Sequence, residues 1–431
     1  LKDLRSSWFD KEVSDFYKDI IFIIELNKFY DKRPKIFMTP EAFQNTFSHE
    51  DSEAKKEALT KGRVQKVDKM DFSPKMPPVY TKNNIIYANT WTAQDERQGK
   101  PGDCSPWLDH WDKLGWGEHK KHMLQWMAYT ILHPEHKINH ILVLGGSEGI
   151  GKDLLLRPFF KSMGCHAKVI DGTSLLESFN SYLLGTKYLH INETELGDHK
   201  EATRIRNKIK PLAAAPPDTL SVNQKGITEI DITNIVNVTM TTNSQLPFKL
   251  DGASRRYYAV WSDVNTRDDH NQVKQEWLDY FEDMWAWMDK DGVDHCIYYL
   301  RNNVDLSDFN PSSPPPVTEF LQNIQDASKS PGQQTIETFI ENKIGAFGKD
   351  LITAGDANTT LRSGSLVHQA LMYADSNWFT PNRIASVLRD IPSCMKLRAR
   401  GDMDIRVYAI RNKEKYEKMT LFERYLAYNN Q

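Results

Sequence analysis

The chain has 431 residues, of which 39% are hydrophobic and 26% are charged, and its net charge is −3. This composition is typical of a globular protein with two or three domains, and it argues against nucleic-acid binding through overall positive charge. The four cysteines lie far apart and form no C-x-x-C pair, which argues against a disulfide scaffold or a cysteine zinc site. Apolar runs are too short to span a bilayer and no signal peptide is visible, so we expect a cytoplasmic protein without a membrane partner. Because the first residue is Leu1, we expect the chain to be a piece of a longer protein.

Residues 1–115 are predicted to be an accessory region that is mainly helical. Residues 16–29 are apolar at helical and strand spacing alike, so both structures stay open there. Thr39 followed by Pro40 is typical of a helix start, with Thr39 as the N-cap. Residues 84–88 predict a short strand.

Three histidines follow a predicted helix. Residues 118–133 have apolar side chains at helical spacing. His133, His136 and His140 come next, at spacings that metal ligands can have. We interpret them as part of a polar loop, because no cysteine or carboxylate set nearby completes a ligand shell.

A phosphate-binding loop is predicted next. Residues 141–144 are apolar and partly β-branched, as in a buried strand, and residues 154–160 predict a helix. The residues between them fit G-x-x-x-x-G-K, in which glycines let the backbone approach phosphates and the helix N-terminus offers N–H donors. We assign nucleotide binding to Gly146, Ser147, Glu148, Gly149, Ile150, Gly151, Lys152 and Asp153. Asp153 replaces the usual Ser or Thr, and it either holds Mg²⁺ through a water or caps the helix.

Two later strand ends carry polar residues suited to nucleotide hydrolysis. Residues 187–192 predict a strand followed by Glu193, a candidate for polarising the attacking water or holding Mg²⁺. A surface glutamate at a strand end is the alternative. Asn192 precedes it, where a first acid is usual. Residues 235–241 predict a strand that ends beside Asn243, a candidate for reading the γ-phosphate or orienting the water.

Basic residues occupy two further positions of interest. Lys225 lies at the tip of a hairpin predicted from residues 219–222 and 227–232, and it is a candidate DNA contact. A hairpin without a binding role is the alternative. Arg255 and Arg256 precede the next predicted strand, where one subunit can supply an arginine to the ATP of its neighbour. Ordinary surface charge is the alternative.

The remainder predicts a second domain. Residues 268–300 indicate helix with an aromatic stripe, which we interpret as core packing. The proline-rich residues 310–316 mark a domain boundary, and residues 348–365 are predicted to be a loop. A helix over residues 380–388 and a hairpin over residues 396–410 then resemble a winged-helix module, which binds DNA or protein or serves only in packing. The hairpin carries Arg398, Arg400, Arg406 and Arg411.

Taken in order, the motifs GGSEGIGKD, HINE, the KG hairpin, TTN and SRRYYAV resemble the superfamily 3 helicase domain of phage and plasmid primase-helicases, a branch of the AAA+ ATPases. The resemblance covers roughly half of the chain, from residue 89 to residue 318. It implies an α/β fold with a P-loop AAA+ core in residues 116–310, after an accessory region in residues 1–115. A winged-helix-like domain follows in residues 311–431.

The resemblance also implies roles for single residues. The implied roles are phosphate binding for Lys152, water activation for Glu193, sensing for Asn243, an arginine finger for Arg255 or Arg256, and single-stranded DNA contact for Lys225. It implies ATP and Mg²⁺, with Asp153 and Glu193 at the ion, a hexameric ring, and a primase domain ahead of the chain. Asp153 and Asn192 depart from the family pattern, which makes Mg²⁺ ligation the least supported part of the mechanism.

We therefore predict an enzyme, an ATP-driven DNA helicase that works as a ring at a replication fork, in the host cytoplasm if a phage encodes it. One alternative is a P-loop ATPase that acts on a protein or on a packaged duplex. Another is a replication-initiation scaffold that binds nucleotide without turnover. Stimulation of hydrolysis by single-stranded DNA distinguishes these hypotheses. A small-molecule kinase is disfavoured, because no acceptor-site motif follows the loop.

Overall fold

The computed structural model describes residues 16–91, 97–192, 199–224, 229–247, 255–363, 372–374, 376–391 and 393–431. The described chain divides into two compact units. Unit 1 contains the described residues as far as Gln245 together with Arg256–Pro316, and unit 2 contains Val317–Gln431 with the described residues of Leu246–Arg255. In these parts of the chain, every helix falls short of the length and apolar character that a membrane span requires.

The first part of unit 1 consists mainly of short strands. They are β1 (Ile20–Ile23), β2 (Lys28–Asp31), β3 (Ile36–Met38), β4 (Gln65–Val67), β5 (Lys69–Asp71), β6 (Val79–Lys82) and β7 (Ile85–Asn89). They form two sheets, in the orders β3-β2-β1-β4 and β5-β7-β6. The helices here are α1 (Pro40–Phe47) and α2 (Ala54–Thr60). The Thr39 hydroxyl caps α1 as predicted, accepting a hydrogen bond from the Ala42 backbone N–H at 3.1 Å.

The prediction of a mainly helical N-terminal region is therefore wrong. The ambiguous residues 16–29 begin with a 3-10 turn, Phe16–Asp19, and continue into an antiparallel hairpin of β1 and β2, with Asn27 in the turn at a φ of +50°. All four residues of β1 are buried. A strand that is buried on both faces is apolar at every position, so its sequence has no two-residue alternation to set it apart from a buried helix.

The rest of unit 1 alternates strands and helices. The strands are β8 (Ile141–Gly146), β9 (Ala167–Asp171), β10 (Tyr188–Asn192), β11 (Thr219–Val222), β12 (Ile230–Thr233), β13 (Asn237–Thr242) and β14 (Tyr257–Ser262). The helices are α3 (Ser105–Lys113), α4 (Gly117–Leu132), α5 (Lys152–Met163), α6 (His199–Ala213), α7 (Gln275–Trp287) and α8 (Val293–Asn302). A π-helical turn, Met288–Gly292, joins α7 to α8.

Five of these strands form one parallel sheet in the order β14-β8-β13-β10-β9, and β11 and β12 form a separate antiparallel hairpin. The predicted α/β class is confirmed. Every residue of β8 and β13 is buried, as expected for central strands of a parallel sheet that helices cover on both faces. Because all five strands run the same way, their carboxyl ends meet at one edge, which is where open α/β sheets bind ligands.

The core beside this sheet is rich in tryptophan. Its fully buried indole side chains belong to Trp107, Trp111, Trp116 and Trp126. They come from α3, α4 and the turn between these helices, and they pack with β8 and α5 in one apolar cluster. Aromatic side chains bury large areas and contribute strongly to core stability. This packing holds the strand before the phosphate loop and the helix after it in fixed positions.

Unit 2 combines helices with a three-stranded sheet. Its helices are α9 (Glu319–Ser328), α10 (Pro331–Glu341), α11 (Ala354–Leu361), α12 (Pro381–Asp390), α13 (Lys413–Glu417) and α14 (Leu421–Asn429). Its strands are β15 (Leu351–Ile352), β16 (Met395–Arg400) and β17 (Asp404–Ala409), in the order β15-β17-β16. The predicted helix at Thr380–Pro381 and the predicted hairpin are confirmed. The predicted loop over residues 348–365 is wrong, because α11 lies within it.

The arginines of this hairpin have different environments. Arg398, Arg400 and Arg406 are exposed. Arg411 lies just after β17 and turns inward, donating hydrogen bonds to the carbonyl oxygens of Phe347, Lys349 and Ile340 at 2.6, 2.8 and 2.5 Å. Arg411 thus ties the end of the hairpin to the helical part of unit 2.

Candidate nucleotide-binding site

The predicted phosphate loop, residues 146–152, connects β8 to α5. Gly151 is the N-cap of α5 and has a φ of +91°, a left-handed conformation that glycine adopts without strain. A Cβ atom at this position would lie 2.7 Å from His110 Nε2 and 2.9 Å from Phe281 Cε1. The backbone conformation and the close approach of these two side chains both require glycine. The N-terminus of α5, with its free backbone N–H donors, therefore lies at the edge of the sheet where the strands end.

Lys152 lies over the loop. Its Nζ donates hydrogen bonds to the carbonyl oxygens of Gly146 and Ser147, at 2.6 and 2.9 Å. It also donates to Oδ1 of Asn243 at 2.7 Å. Asn243 follows β13 directly, and β13 is the neighbour of β8 in the sheet. Two predicted site residues that lie 91 positions apart in the sequence are therefore in direct contact.

A cleft of about 290 Å³ lies over this edge of the sheet. Its lining residues are Glu148, Gly149, Ile150, Gly151, Lys152, Asp153, Leu154, Asn192, Thr241, Thr242, Asn243, Phe281 and Trp285. Backbone and polar groups come from the loop and from the ends of β10 and β13, whereas the aromatic groups come from α7. The cleft thus combines a polar cradle with an apolar wall, which is typical of a small-molecule site.

The aromatic wall corrects part of the sequence interpretation. Trp277 is buried in the core as expected, but the Trp285 side chain is 38% exposed and lines the cleft together with Phe281. Successive residues of an α-helix are about 100° apart around its axis. The aromatic stripe of α7 therefore spreads over roughly 160° of the helix circumference. The stripe consists of Trp277, Phe281, Trp285 and Trp287. Only part of that arc faces the core, so the rest is left for the cleft. The Arg157 guanidinium lies 4.7 Å from the Trp285 ring centre, a cation–π contact.

His110 contacts the loop on the side away from the cleft opening, a role that was not predicted from the sequence. Its Nε2 lies 3.1 Å from the Gly151 carbonyl oxygen and its Nδ1 lies 2.8 Å from the Tyr280 hydroxyl. Because a carbonyl only accepts, Nε2 carries the proton and Nδ1 accepts from the tyrosine. Burial disfavours the charged imidazole and lowers the pKa of His110 to about 4. A neutral imidazole therefore joins α3 and α7 to the phosphate loop.

The acidic part of the predicted site is described only in part. Asp153 is exposed in the first turn of α5 and lines the cleft. Asn192 ends β10, and its Oδ1 accepts a hydrogen bond from the Thr241 hydroxyl at 2.8 Å. Glu193 and Lys225, two of the predicted site residues, lie outside the described residues.

Arg256 lies at the other edge of the sheet. It precedes β14, and its carbonyl oxygen accepts a hydrogen bond from the Ile141 backbone N–H at the amino end of β8, at 2.9 Å. The phosphate loop follows the carboxyl end of β8, six residues further on. At about 3.3 Å per residue, Arg256 is roughly 20 Å from the phosphate loop of its own chain. Arg255, the residue before it, is exposed.

Comparison with known families and proteins gives two matches in sequence. Residues 144–256 match the model of a family of unknown function, DUF5906. The matched segment begins in β8, includes the phosphate loop and ends at Arg256. A protein of Nitratiruptor phage NrS-1 named DNA primase-polymerase is 26% identical to the chain over 156 residues. This match covers 36% of the chain and 20% of the phage protein, so the chain spans about a fifth of the length of this relative.

Solved structures of the NrS-1 C-terminal region are similar over almost the whole chain. One apo structure has a TM-score of 0.63 and 16% identity, and the match covers 93% of this chain and 99% of the solved one. An A-form apo structure has a TM-score of 0.62, with 92% and 99% covered. The chain therefore has the fold of this C-terminal region, and part of it is similar in sequence to a phage primase-polymerase.

Proposed function

We propose that this chain is the ATP-driven motor of a phage DNA-replication protein, a ring-forming helicase that moves along single-stranded DNA. One observation carries the proposal: Lys152 meets Asn243 in a cleft at the carboxyl edge of a parallel sheet, with the N-terminus of α5 beside them. A helix N-terminus, a lysine and a polar strand end are what a nucleoside triphosphate needs for its phosphates.

In this proposal the phosphates of ATP displace the present partners of Lys152. The ammonium group exchanges the carbonyl oxygens of the loop for phosphate oxygens, and Asn243 is then free to contact the γ-phosphate or the attacking water. Phe281 and Trp285 offer flat apolar faces to the nucleoside. The exposed carboxylate of Asp153 is a hard oxygen donor of the kind that Mg²⁺ prefers, so the residues fit this ion, which would neutralise charge on the phosphates.

An arginine from a second chain completes the site in this proposal. Arg256 is roughly 20 Å from the loop of its own chain, a distance that no side chain spans. Arg255 or Arg256 would therefore act on the nucleotide of a neighbouring subunit, which requires a ring, and we propose a hexamer. Glu193 would polarise the attacking water.

Single-stranded DNA is the proposed substrate of the motor. Lys225 falls in the sequence between β11 and β12, and in this proposal a ring of such lysines lines a channel. A local basic lining reconciles DNA binding with a net charge of −3. The similarity to a phage protein named DNA primase-polymerase supports a role in phage DNA replication. A primase or polymerase domain ahead of this chain belongs to the same proposal.

The test is steady-state ATP hydrolysis by the full chain, with and without single-stranded DNA. We expect DNA to stimulate turnover and Lys152→Ala to abolish it. Lys161→Ala, which changes an exposed lysine of the same helix, is the matched control and should behave as the wild type. Turnover that ignores DNA would instead support an ATPase acting on a protein or a packaged duplex.

One observation favours a second candidate function, a replication scaffold that binds nucleotide without hydrolysis. Asn192 occupies the place of the first acid, and its amide oxygen is already bonded to Thr241. ATP binding by the full chain with no turnover, in the presence of DNA and Mg²⁺, would support the scaffold and contradict the motor.

A further inference from the structure

The loop between α4 and β8 contains a cluster of three donor side chains. His133, Glu135 and His136 each place a possible metal-ligand atom within 4.8 Å of the other two. This loop precedes the amino end of β8, whereas the phosphate loop follows its carboxyl end. The cluster is therefore separate from the nucleotide site.

Glu135 has one oxygen that lacks a partner. Its Oε1 accepts a hydrogen bond from Lys75 Nζ at 2.7 Å. Its Oε2 is shielded from solvent and has no hydrogen-bond partner among the described residues. A buried polar atom without a hydrogen-bond partner is energetically unfavourable. An unpaired buried oxygen such as Glu135 Oε2 is usually explained by a water molecule or an ion that binds to it.

The imidazole rings of His133 and His136 are oriented as metal-binding histidines usually are. His136 Nδ1 lies 2.9 Å from the Tyr129 hydroxyl, which leaves Nε2 for another partner. Metal-binding histidines usually use their second ring nitrogen in such a hydrogen bond, because it fixes the ring orientation. The His133 ring packs against Tyr129 and lies nearly parallel to that of His136, with ring planes 12° apart. Its nitrogens make no hydrogen bond to another described residue.

We propose that His133, Glu135 and His136 bind one divalent transition-metal ion of the zinc class. Two histidines and one carboxylate form a recurrent zinc ligand set, with the remaining position taken by water. The exposed side of His136 leaves that position open to solvent. Glu135 would bind the ion through Oε2, while Lys75 stays on Oε1 and neutralises part of the carboxylate charge. This proposal departs from the sequence interpretation of a polar loop, which did not consider Glu135 as a ligand.

His140 is not part of this cluster. Its side chain is buried, and its Nε2 lies 3.0 Å from Nε2 of His122. His140 therefore lies outside the proposed ligand set, although it shares the histidine spacing seen in the sequence.

The bound ion would stabilise the entry to β8. The carbonyl oxygen of His136 already accepts a hydrogen bond from the buried Lys187 at 2.7 Å, and Lys75 connects Glu135 to the N-terminal part of unit 1. An ion held by three side chains of this loop would fix the loop between these two anchors. Binding of this ion requires neither nucleotide nor DNA.

The experiment measures metal binding by the full chain after treatment with a chelator, in the absence of nucleotide. Zn²⁺ is titrated by calorimetry, and Co²⁺ is titrated by its visible absorption, which reports the coordination geometry. We expect one ion per chain. His133→Ala, Glu135→Gln and His136→Ala should each weaken binding at least about tenfold.

His49→Ala is the matched control, since His49 is an exposed histidine beside a single glutamate, Glu50, at 3.4 Å. It should bind the ion as the wild type does. Glu135→Gln keeps the size of the side chain, so circular dichroism should show a folded protein that has lost only the metal. Lys152→Ala should retain the ion, which separates this proposal from the proposed function. Equal binding by the wild type and by the variant with all three changes, or binding no tighter than nonspecific adsorption, would overturn the proposal.

Discussion

His110 donates a hydrogen bond from Nε2 to the carbonyl oxygen of Gly151 at 3.1 Å, so an uncharged imidazole lies directly behind the phosphate loop. Gly151 is the residue before Lys152, and its carbonyl orientation sets the start of α5. The imidazole receives its own hydrogen bond from Tyr280. The loop is thus positioned by a chain of two hydrogen bonds that begins on α7.

We expect His110→Ala to weaken ATP binding by roughly tenfold while the fold is retained, because the loop loses one buried hydrogen bond of about 1–1.5 kcal/mol. Tyr280→Phe removes only the donor to Nδ1 and should have a smaller effect. Calorimetric titration with a nonhydrolysable ATP analogue measures both. Unchanged affinity in His110→Ala would show that the loop holds its conformation without the imidazole.

Gly151→Ala should abolish nucleotide binding, because the new Cβ would lie 2.7 Å from His110 Nε2 in a backbone conformation that alanine rarely adopts. Gly149→Ala is the matched control. It has a similar φ of +78°, but its nearest neighbour would be 3.9 Å away, so it should lose less affinity. His110→Ala combined with Gly151→Ala should recover part of the binding, since one of the two clashes is removed. No recovery would mean that the backbone strain and the remaining clash with Phe281 are responsible.

Four buried histidines predict a loss of stability in acid. Burial lowers the pKa of His110, His122 and His190 to about 4 and that of His140 to about 3. Between these values and the ordinary value of 6.5, the unfolded chain binds more protons than the folded chain. The contribution of these histidines to the free energy of unfolding is therefore fully present above pH 6.5, and it is lost as the pH decreases toward 4, by up to about 1.4 kcal/mol per pH unit for each histidine.

Urea unfolding at a series of pH values measures this slope. His190→Asn should reduce the slope of unfolding free energy against pH by the contribution of one proton. The reason is that asparagine does not titrate, so the unfolded variant no longer binds a proton that the folded state excludes. His270→Asn changes an exposed histidine and should leave the slope as it is in the wild type. An equal slope in the wild type and in both variants would contradict the lowered pKa of His190.

Arg411→Ala should destabilise unit 2 by about 2–4 kcal/mol, because three carbonyl oxygens lose a charged donor. Arg411→Lys should not restore stability, since a lysine lacks the planar fork that reaches all three. Arg406→Ala, at an exposed position of the same hairpin, should change stability by less than about 0.5 kcal/mol. Hydrogen exchange of the amides in β15 and β17 reports the change within unit 2.

The sequence predicted the parts of the site that are continuous in the chain. The phosphate loop is a short motif between an apolar strand and a helix, and its residue types follow from local backbone geometry. Asn243 was found because a polar residue directly after a buried strand lies at the ligand-binding edge. His110 could not be found in this way, because its partners Gly151 and Tyr280 lie 41 and 170 residues away. No spacing rule connects them.

Two fold errors have local causes. β1 is apolar at every position, and an unbroken run of four apolar residues fits either a strand or a helix. α11 has few apolar residues, so its periodicity is weak. Its start was nevertheless encoded, since Thr353 and Asp356 form a capping box, with aspartate in the place of the usual glutamate.

The position of Arg256 has a kinetic consequence. In the proposed motor, a chain that holds its loop and its arginine at opposite edges of one sheet contains the halves of two different catalytic centres. Hydrolysis per chain should then depend on protein concentration, falling on dilution as subunits separate and rising to a plateau when they assemble. Chains with Lys152→Ala mixed with chains with both arginines changed to alanine should regain activity together, because the intact loop of the second kind meets the intact arginines of the first.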